Sequence, residues 1–187
     1  MIDHFAILAP YYDRLIPAPD PRELRDLAGL PVSGTLLDAG GGTGRISSLL
    51  ADQVPHLVVA DLSFRMLQQA AQKGRLEAVC APSECLPFPE AYFTRILMID
   101  ALHHVIDQQK TAIEMWRVLA PGGRLLIGEP DISHFPVRVV AVFERLMLMR
   151  SHFLSPAQIA RLFSSLTANV EIIQRGYSTW IIAEKAP

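Results

Sequence analysis

Thr35-Leu36-Leu37-Asp38-Ala39-Gly40-Gly41-Gly42-Thr43-Gly44-Arg45 is the stretch that decides the fold. Leu36 and Leu37 read as the end of a buried strand. Four of the next residues up to Gly44 are glycines, and Ile46 to Leu50 read as a helix. Glycine serves where a backbone turns sharply and a ligand comes close. A strand, a glycine-rich turn and a helix start together build a nucleotide pocket in an open α/β sheet. A dinucleotide fingerprint, G-x-G-x-x-G, begun at Gly40 would need glycine where Arg45 stands. Begun at Gly41, it would need glycine where Thr43 stands. The spacing that fits is G-x-G-x-G on Gly40, Gly42 and Gly44, preceded by Asp38. Arg45 therefore argues against an NAD-dependent oxidoreductase.

The rest of the composition bounds the answer. A chain of 187 residues suits one domain, 1–187, with a sizeable core, and half of its residues are apolar. Lys and Arg number 17 against 19 Asp and Glu, a net charge of −2. No dense basic block is present, so no nucleic-acid partner is expected. Cys80 and Cys85 have no second pair for zinc, and two thiols make no disulfide framework. No metal is expected. The opening Met1-Ile2-Asp3-His4 lacks a signal-peptide pattern, and no apolar run is long enough to span a bilayer. The expected location is the cytoplasm.

Outward from the loop, Val58-Val59-Ala60-Asp61 is a short apolar run that ends in an acid 23 positions after Asp38. An acid at the end of the second strand accepts hydrogen bonds from ribose hydroxyls. Leu62 and Met66 are then placed to cover an adenine. Leu76 to Ala81 and Phe93 to Ile99 read as the third and fourth strands. After the fourth come Asp100, His103 and His104, where α/β sheets present ligand groups. Asp107 is an N-cap for a helix to Leu119, and Pro121-Gly122-Gly123 is a tight turn into a fifth strand. Gly128-Glu129-Pro130-Asp131 ends that strand. Upstream, Asp20-Pro21-Arg22-Glu23 starts a helix that Gly29 stops; downstream, Ser155-Pro156-Ala157-Gln158 is a capping box for a helix to about Ser164. Val170–Gln174 and Ser178–Ala183, around Arg175-Gly176, read as a terminal hairpin.

These strings carry a resemblance. The glycine loop with Asp38 resembles motif I of class I S-adenosylmethionine (SAM)-dependent methyltransferases. Tyr11-Tyr12-Asp13-Arg14-Leu15 is similar to the "YDRL" segment of small-molecule members, and Asp61-Leu62-Ser63 with Met66-Leu67 to their "D-x-S-x-x-M-L". Ala101-Leu102-His103-His104-Val105 resembles their motif IV. Arg117-Val118-Leu119-Ala120-Pro121-Gly122-Gly123-Arg124 resembles their "RVLKPGGR". The branch it is most similar to is the ubiquinone/menaquinone-biosynthesis type. One departure stands out. The family commonly has "D-A-E-x-L-P-F", whose Asp binds the adenine amino group, and that position is Pro82 here. Proline offers neither carboxylate nor N–H; the side-chain contact is therefore either absent or moved, to Glu84 or to the Ser83 amide.

The resemblance implies a Rossmann-like class I methyltransferase α/β sheet. It is mostly parallel with a C-terminal antiparallel hairpin and helices on both faces. An N-terminal helical segment (1–30) and a helical insertion (131–168) between the fifth and sixth strands complete it. It implies SAM as cofactor, S-adenosylhomocysteine as product, and a small acceptor, apolar or aromatic. Its cofactor contacts would be Tyr12, Asp38, Gly40, Gly42, Gly44, Asp61, Leu62, Met66, Ser83, Glu84 and Asp100. His103, His104 and Glu129, with Asp131 behind them, are the candidate bases, a histidine being suited to neutral pH. Only one of the adjacent His103 and His104 can face the methyl group, and its rate profile would rise with pH near 6.5. A SAM-binding interaction module without turnover is the alternative. Phe135 to His152 is apolar nearly all round, with Arg138, Arg145 and His152 at seven-residue spacing. Such a helix is core, acceptor wall or homodimer surface. Gly42 is expected to leave no room for a Cβ beside the cofactor. Gly42→Val should therefore abolish SAM binding while leaving the domain folded; wild-type affinity in calorimetric titration would refute the motif I assignment.

Overall fold

The computed structural model describes residues 9–16, 18–146 and 151–187. Five parallel strands are β1 (Thr35–Ala39), β2 (His56–Asp61), β3 (Glu77–Cys80), β4 (Phe93–Ile99) and β5 (Leu119–Pro130). β6 (Ala168–Arg175) and β7 (Ser178–Lys185) form the antiparallel hairpin expected from the sequence, and β7 lies antiparallel to β5. The sheet order is β3-β2-β1-β4-β5-β7-β6. The chain winds from β1 outward through β2 and β3, then returns to the other side of β1 with β4. That reversal opens a crevice at the carboxyl ends of β1 and β4, where ligands bind in such sheets.

Helices cover both faces, because successive strand residues point to opposite sides. Leu37, Ile96, Leu125 and Ile181 pack with α5 (Gln108–Val118) and with Ile159 and Phe163, in and just after α7 (Pro156–Arg161). Leu36, Leu97, Leu126 and Ile182 pack on the other face with α2 (Pro21–Ala28), α3 (Ser47–Leu50) and α4 (Phe64–Ala71). α1 is the single turn Tyr12–Leu15, and α6 (Phe135–Leu146) leaves the end of β5. The expected caps are in place. Asp20 accepts from the Arg22 N–H at 2.8 Å, Gly29 closes α2 at φ +60°, and Ser155 and Gln158 form a reciprocal box.

Some boundaries differ from the sequence reading. The helix from Ser155 ends at Arg161 rather than near Ser164. The expected helix over 135–152 is described only as Phe135–Leu146, and Phe5, Ala6 and Leu8 of the opening segment lie outside the described residues. β5 starts before the Pro-Gly-Gly turn, not after it. Phe93 pairs with Leu119 and Arg95 with Arg124, so the turn bulges out of an otherwise continuous ladder. Proline has no N–H for that ladder, and Gly122 takes φ +70°. At the other end of β5, Gly128 lies under the Trp180 ring of β7, where a Cβ would enter the indole.

Candidate active site

The glycine loop is held from below. The N–H groups of Gly40 and Gly41 both donate to the Ala60 carbonyl of β2, at 2.7 and 3.2 Å. Gly40 takes φ +72°, and a Cβ there would stand 2.7 Å from that of Ala101. The loop thus touches the turn that follows β4. Gly42 has φ +54°, and its absent Cβ would point into the crevice, 3.5 Å from Met66 Cε and 3.8 Å from Asp61 Oδ2. Those are ordinary contacts. The protein alone does not exclude a methyl there; the left-handed backbone and the open crevice are what call for glycine.

Asp61 braces the same loop. Its Oδ2 accepts from the Gly42 N–H at 2.9 Å and its Oδ1 from the Ser63 N–H at 2.7 Å. Leu62 beside it is 68% exposed, whereas Met66 is buried beneath. Asp38 sits behind the loop rather than in the crevice. It is buried, accepts from Ser47 Oγ at 2.5 Å, and lies where a Cβ on Gly41 would collide with it. Burial pushes its carboxyl up to about 6. The sequence grouped Asp38 with the cofactor contacts; the structure gives it the loop to support. Ser83 is buried in the turn after β3. Glu84 Oε1 accepts from the Ile106 and Asp107 N–H groups at 2.8 and 3.2 Å. Glu84 is a brace between two loops, with its carboxylate turned to those amides.

The turn after β4 is organised by Glu129. Its Oε1 accepts from the N–H groups of Ala101 and Leu102 at 3.1 and 2.8 Å. Its Oε2 lies 2.5 Å from His103 Nδ1, and both side chains are 4% exposed. The His103 ring also stacks on Phe153 at 4.3 Å. The two histidine rings are 4.0 Å apart, and His104 Nδ1 lies 3.3 Å from Ser151 Oγ. Burial first, and the neighbouring His103 second, push the His104 imidazole down to about 3. The expected titration near 6.5 is thereby corrected for His104. Asp131 is also spent on structure, accepting from the Ser133 N–H at 2.9 Å and Gln174 Nε2 at 3.2 Å.

Asp100 is placed differently. It adopts φ +54°, its N–H donates to the Gly128 carbonyl at 2.9 Å, and its carboxylate meets Arg45 NH2 at 3.0 Å. Burial, and next the nearby Glu129, hold its carboxyl above the usual range, against the pull of Arg45. Arg45 carries the Tyr12 ring 5.9 Å from its guanidinium carbon. Asp13 completes the closure of α1 on the loop, accepting from Thr43 Oγ1 and Lys73 Nζ, each at 2.5 Å. Sequence reasoning missed these pairs, and saw Arg45 only as a residue that was not glycine. Beyond Asp100 opens a cavity of about 300 Å³. Pro19, Gly128 and Trp180 line it together with Asp100, Glu23 and Arg175. Glu23 and Arg175 pair across it at 3.0 Å.

Residues 37–127 match the methyltransferase domain family. That stretch, just under half of the chain, is similar to methyltransferase domains. The ubiquinone/menaquinone biosynthesis C-methyltransferase UbiE of Francisella tularensis subsp. novicida is 36% identical over 112 residues, 54% of this chain and 45% of that protein. The chain spans less than half the length of the curated relatives it matches. Among solved structures, the YcgJ protein of Bacillus subtilis superposes with a TM-score of 0.79 at 18% identity, over 89% of this chain and 98% of that one. Geranyl diphosphate C-methyltransferase of Streptomyces coelicolor, solved with Mg²⁺, geranyl diphosphate and S-adenosylhomocysteine, gives 0.75 at 15% identity, over 89% and 78%. At those identities the structural likeness concerns the fold.

The crevice suits the cofactor of the family that residues 37–127 match. A cradle that a Gly42 side chain would fill lies between Met66 and the Asp61 carboxylate, under the exposed Leu62. The histidines are a different matter. A group whose folded pKa is depressed below its unfolded 6.5 takes up its proton on unfolding, so acid between pH 6.5 and 3 favours the unfolded chain through His104. In the native protein its ring proton resonances should stay flat between about pH 5 and 8, when an unperturbed histidine titrates. A midpoint near 6.5 in the nuclear magnetic resonance titration would restore His104 as an ordinary base.

Proposed function

We propose that this chain is a SAM-dependent methyltransferase acting on a small molecule that binds in the cavity beyond Asp100. The observation that carries the reading is continuity. The glycine loop, Asp61 and the turn after β4 form one crevice, and Asp100 belongs to both that crevice and the cavity. SAM, when bound, supplies an electrophilic sulfonium methyl that leaves S-adenosylhomocysteine behind. Asp61 and the loop amides would hold its ribose and methionine ends, and Leu62 its adenine. Ser83, in the turn where Pro82 replaces the family's Asp, would stand at the adenine edge. Holding the acceptor in line is the main contribution of such a scaffold.

The acceptor we infer is apolar or aromatic and about one ring in size. A cavity of about 300 Å³ lies at the small end of ligand pockets. Pro19, Ile99 and Trp180 give it apolar walls beside the charged Glu23, Asp100, Glu129 and Arg175, and the curated relatives are named as C-methyltransferases of quinone biosynthesis. Where the acceptor must lose a proton, Asp100 is the better base. His103 and Glu129 are occupied with each other, and His104 is too weakly basic. A raised carboxyl pKa favours proton transfer at neutral pH. The base must be ionised, so the rate should fall as acid protonates Asp100, above the pH of an ordinary aspartate.

Methyl-tritiated SAM offered with a panel of hydroquinones and phenols tests the reading, with label counted in the organic extract. Transfer is expected with at least one. Asp100→Asn should lower turnover by about 10²–10⁴-fold, the usual worth of a positioned base. Binding of S-adenosylhomocysteine without transfer to any acceptor would favour a SAM-binding module instead. Full turnover by Asp100→Asn would leave the rate to positioning alone.

A further inference from the structure

The cavity beyond Asp100 carries more charge than a purely apolar guest needs. Glu23, Asp100, Glu129 and Arg175 line it beside its apolar walls. Each of the three acids is already matched within the chain. Glu129 takes two backbone N–H groups and His103. Asp100 has the Arg45 guanidinium at 3.0 Å, and Glu23 has Arg175 at the same distance. A cationic guest would have to compete with one of those partners.

Arg175 is different, because its donors are not used up. It ends β6, opposite Ser178 of β7, which also lines the cavity. Its contact with Glu23 is single-pointed, from Nη1 to Oε1. Among the described residues it makes no other hydrogen bond, so Nε and Nη2 have no protein partner. Those two N–H groups are the side edge of the guanidinium, the fork that matches the two oxygens of a carboxylate. An anion can dock there while Glu23 keeps Nη1, and no ion pair has to break. Glu23, on the first turn of α2, then steadies the arginine from 152 positions away in the sequence.

We propose that the acceptor is a one-ring aromatic carboxylic acid, its carboxylate on the Nε–Nη2 edge of Arg175, its ring against Pro19 and Trp180, and its reacting end toward Asp100. A carboxylate brings one negative charge among three acids, whereas a phosphate brings about two. A cavity of about 300 Å³ has room for one ring. This inference rests on the methyltransferase reading proposed above and names its substrate class.

Binding of matched, unreactive probes tests it without needing turnover. The whole chain, saturated with S-adenosylhomocysteine, is titrated calorimetrically with benzoate, benzamide, benzylamine and phenyl phosphate. Benzoate should bind about tenfold or more tighter than benzamide, which has the same shape and no charge. Arg175→Gln should bring that ratio close to one while benzamide affinity and melting temperature stay as in wild type. Arg175→Lys keeps the charge without the fork and should restore only part of the ratio. A merely structural arginine would weaken both probes together. In transfer assays with methyl-tritiated SAM, 4-hydroxybenzoate should exceed phenol in kcat/KM by about tenfold or more. Benzoate binding no tighter than benzamide would overturn the proposal. So would benzylamine or phenyl phosphate binding tightest, or Arg175→Gln keeping the wild-type ratio. Transfer to phenol as efficient as to 4-hydroxybenzoate would overturn it and leave the methyltransferase reading standing. Wild type that fails to bind S-adenosylhomocysteine at the outset would remove that reading, and this inference with it.

Discussion

The Glu129 carboxylate is the contact on which the rest of the site depends. It stands at the buried end of β5, takes two backbone N–H groups from the turn after β4, and holds His103 on its other oxygen. Hydrogen bonds to a charged group contribute about 1.5–3 kcal/mol each, and a buried carboxylate left without them is costly. The turn is therefore fixed where Ala101 meets Gly40. Through that contact the two sides of the crevice, one on β1 and one on β4, keep a constant separation.

The same economy explains the other acids. Asp38 supports the loop from behind, Asp61 ties it to β2, Glu84 joins two loops, and Asp131 secures the exit from β5. Each acid at a strand end is satisfied by backbone amides or by a hydroxyl. Asp100 differs in having a guanidinium as its partner and a cavity as its neighbour. A carboxylate between a buried charge partner and open space is where chemistry can be done. The histidines, which the sequence presents as the obvious bases, are instead packed into the wall against Phe153 and Ser151.

What the sequence revealed follows from how local each feature is. The glycine spacing, the acid at the end of β2, the caps at Asp20, Asp107 and Ser155, and the hairpin around Gly176 depend on residues a few positions apart. Chain chemistry alone determines them. Glu129 meets Leu102 across 27 positions, and Asp13 meets Lys73 across 60. Nothing in either neighbourhood announces those pairings. Burial was equally hidden: His103 and His104 are adjacent letters, and only packing shows His103 held against Glu129 and His104 turned toward Ser151. Arg45 was legible as a break in one fingerprint but not as the counter-ion of Asp100, 55 positions away.

The claim that unites these observations is that Asp61 and the loop it braces form the SAM site. Calorimetric titration of the Asp61→Ala variant with S-adenosylhomocysteine, beside the wild type, measures it most directly. Loss of a carboxylate that accepts from ribose hydroxyls costs about 1.5–3 kcal/mol, so the account predicts a dissociation constant raised roughly tenfold to over a hundredfold. Asp61→Ala binding as tightly as wild type would contradict it.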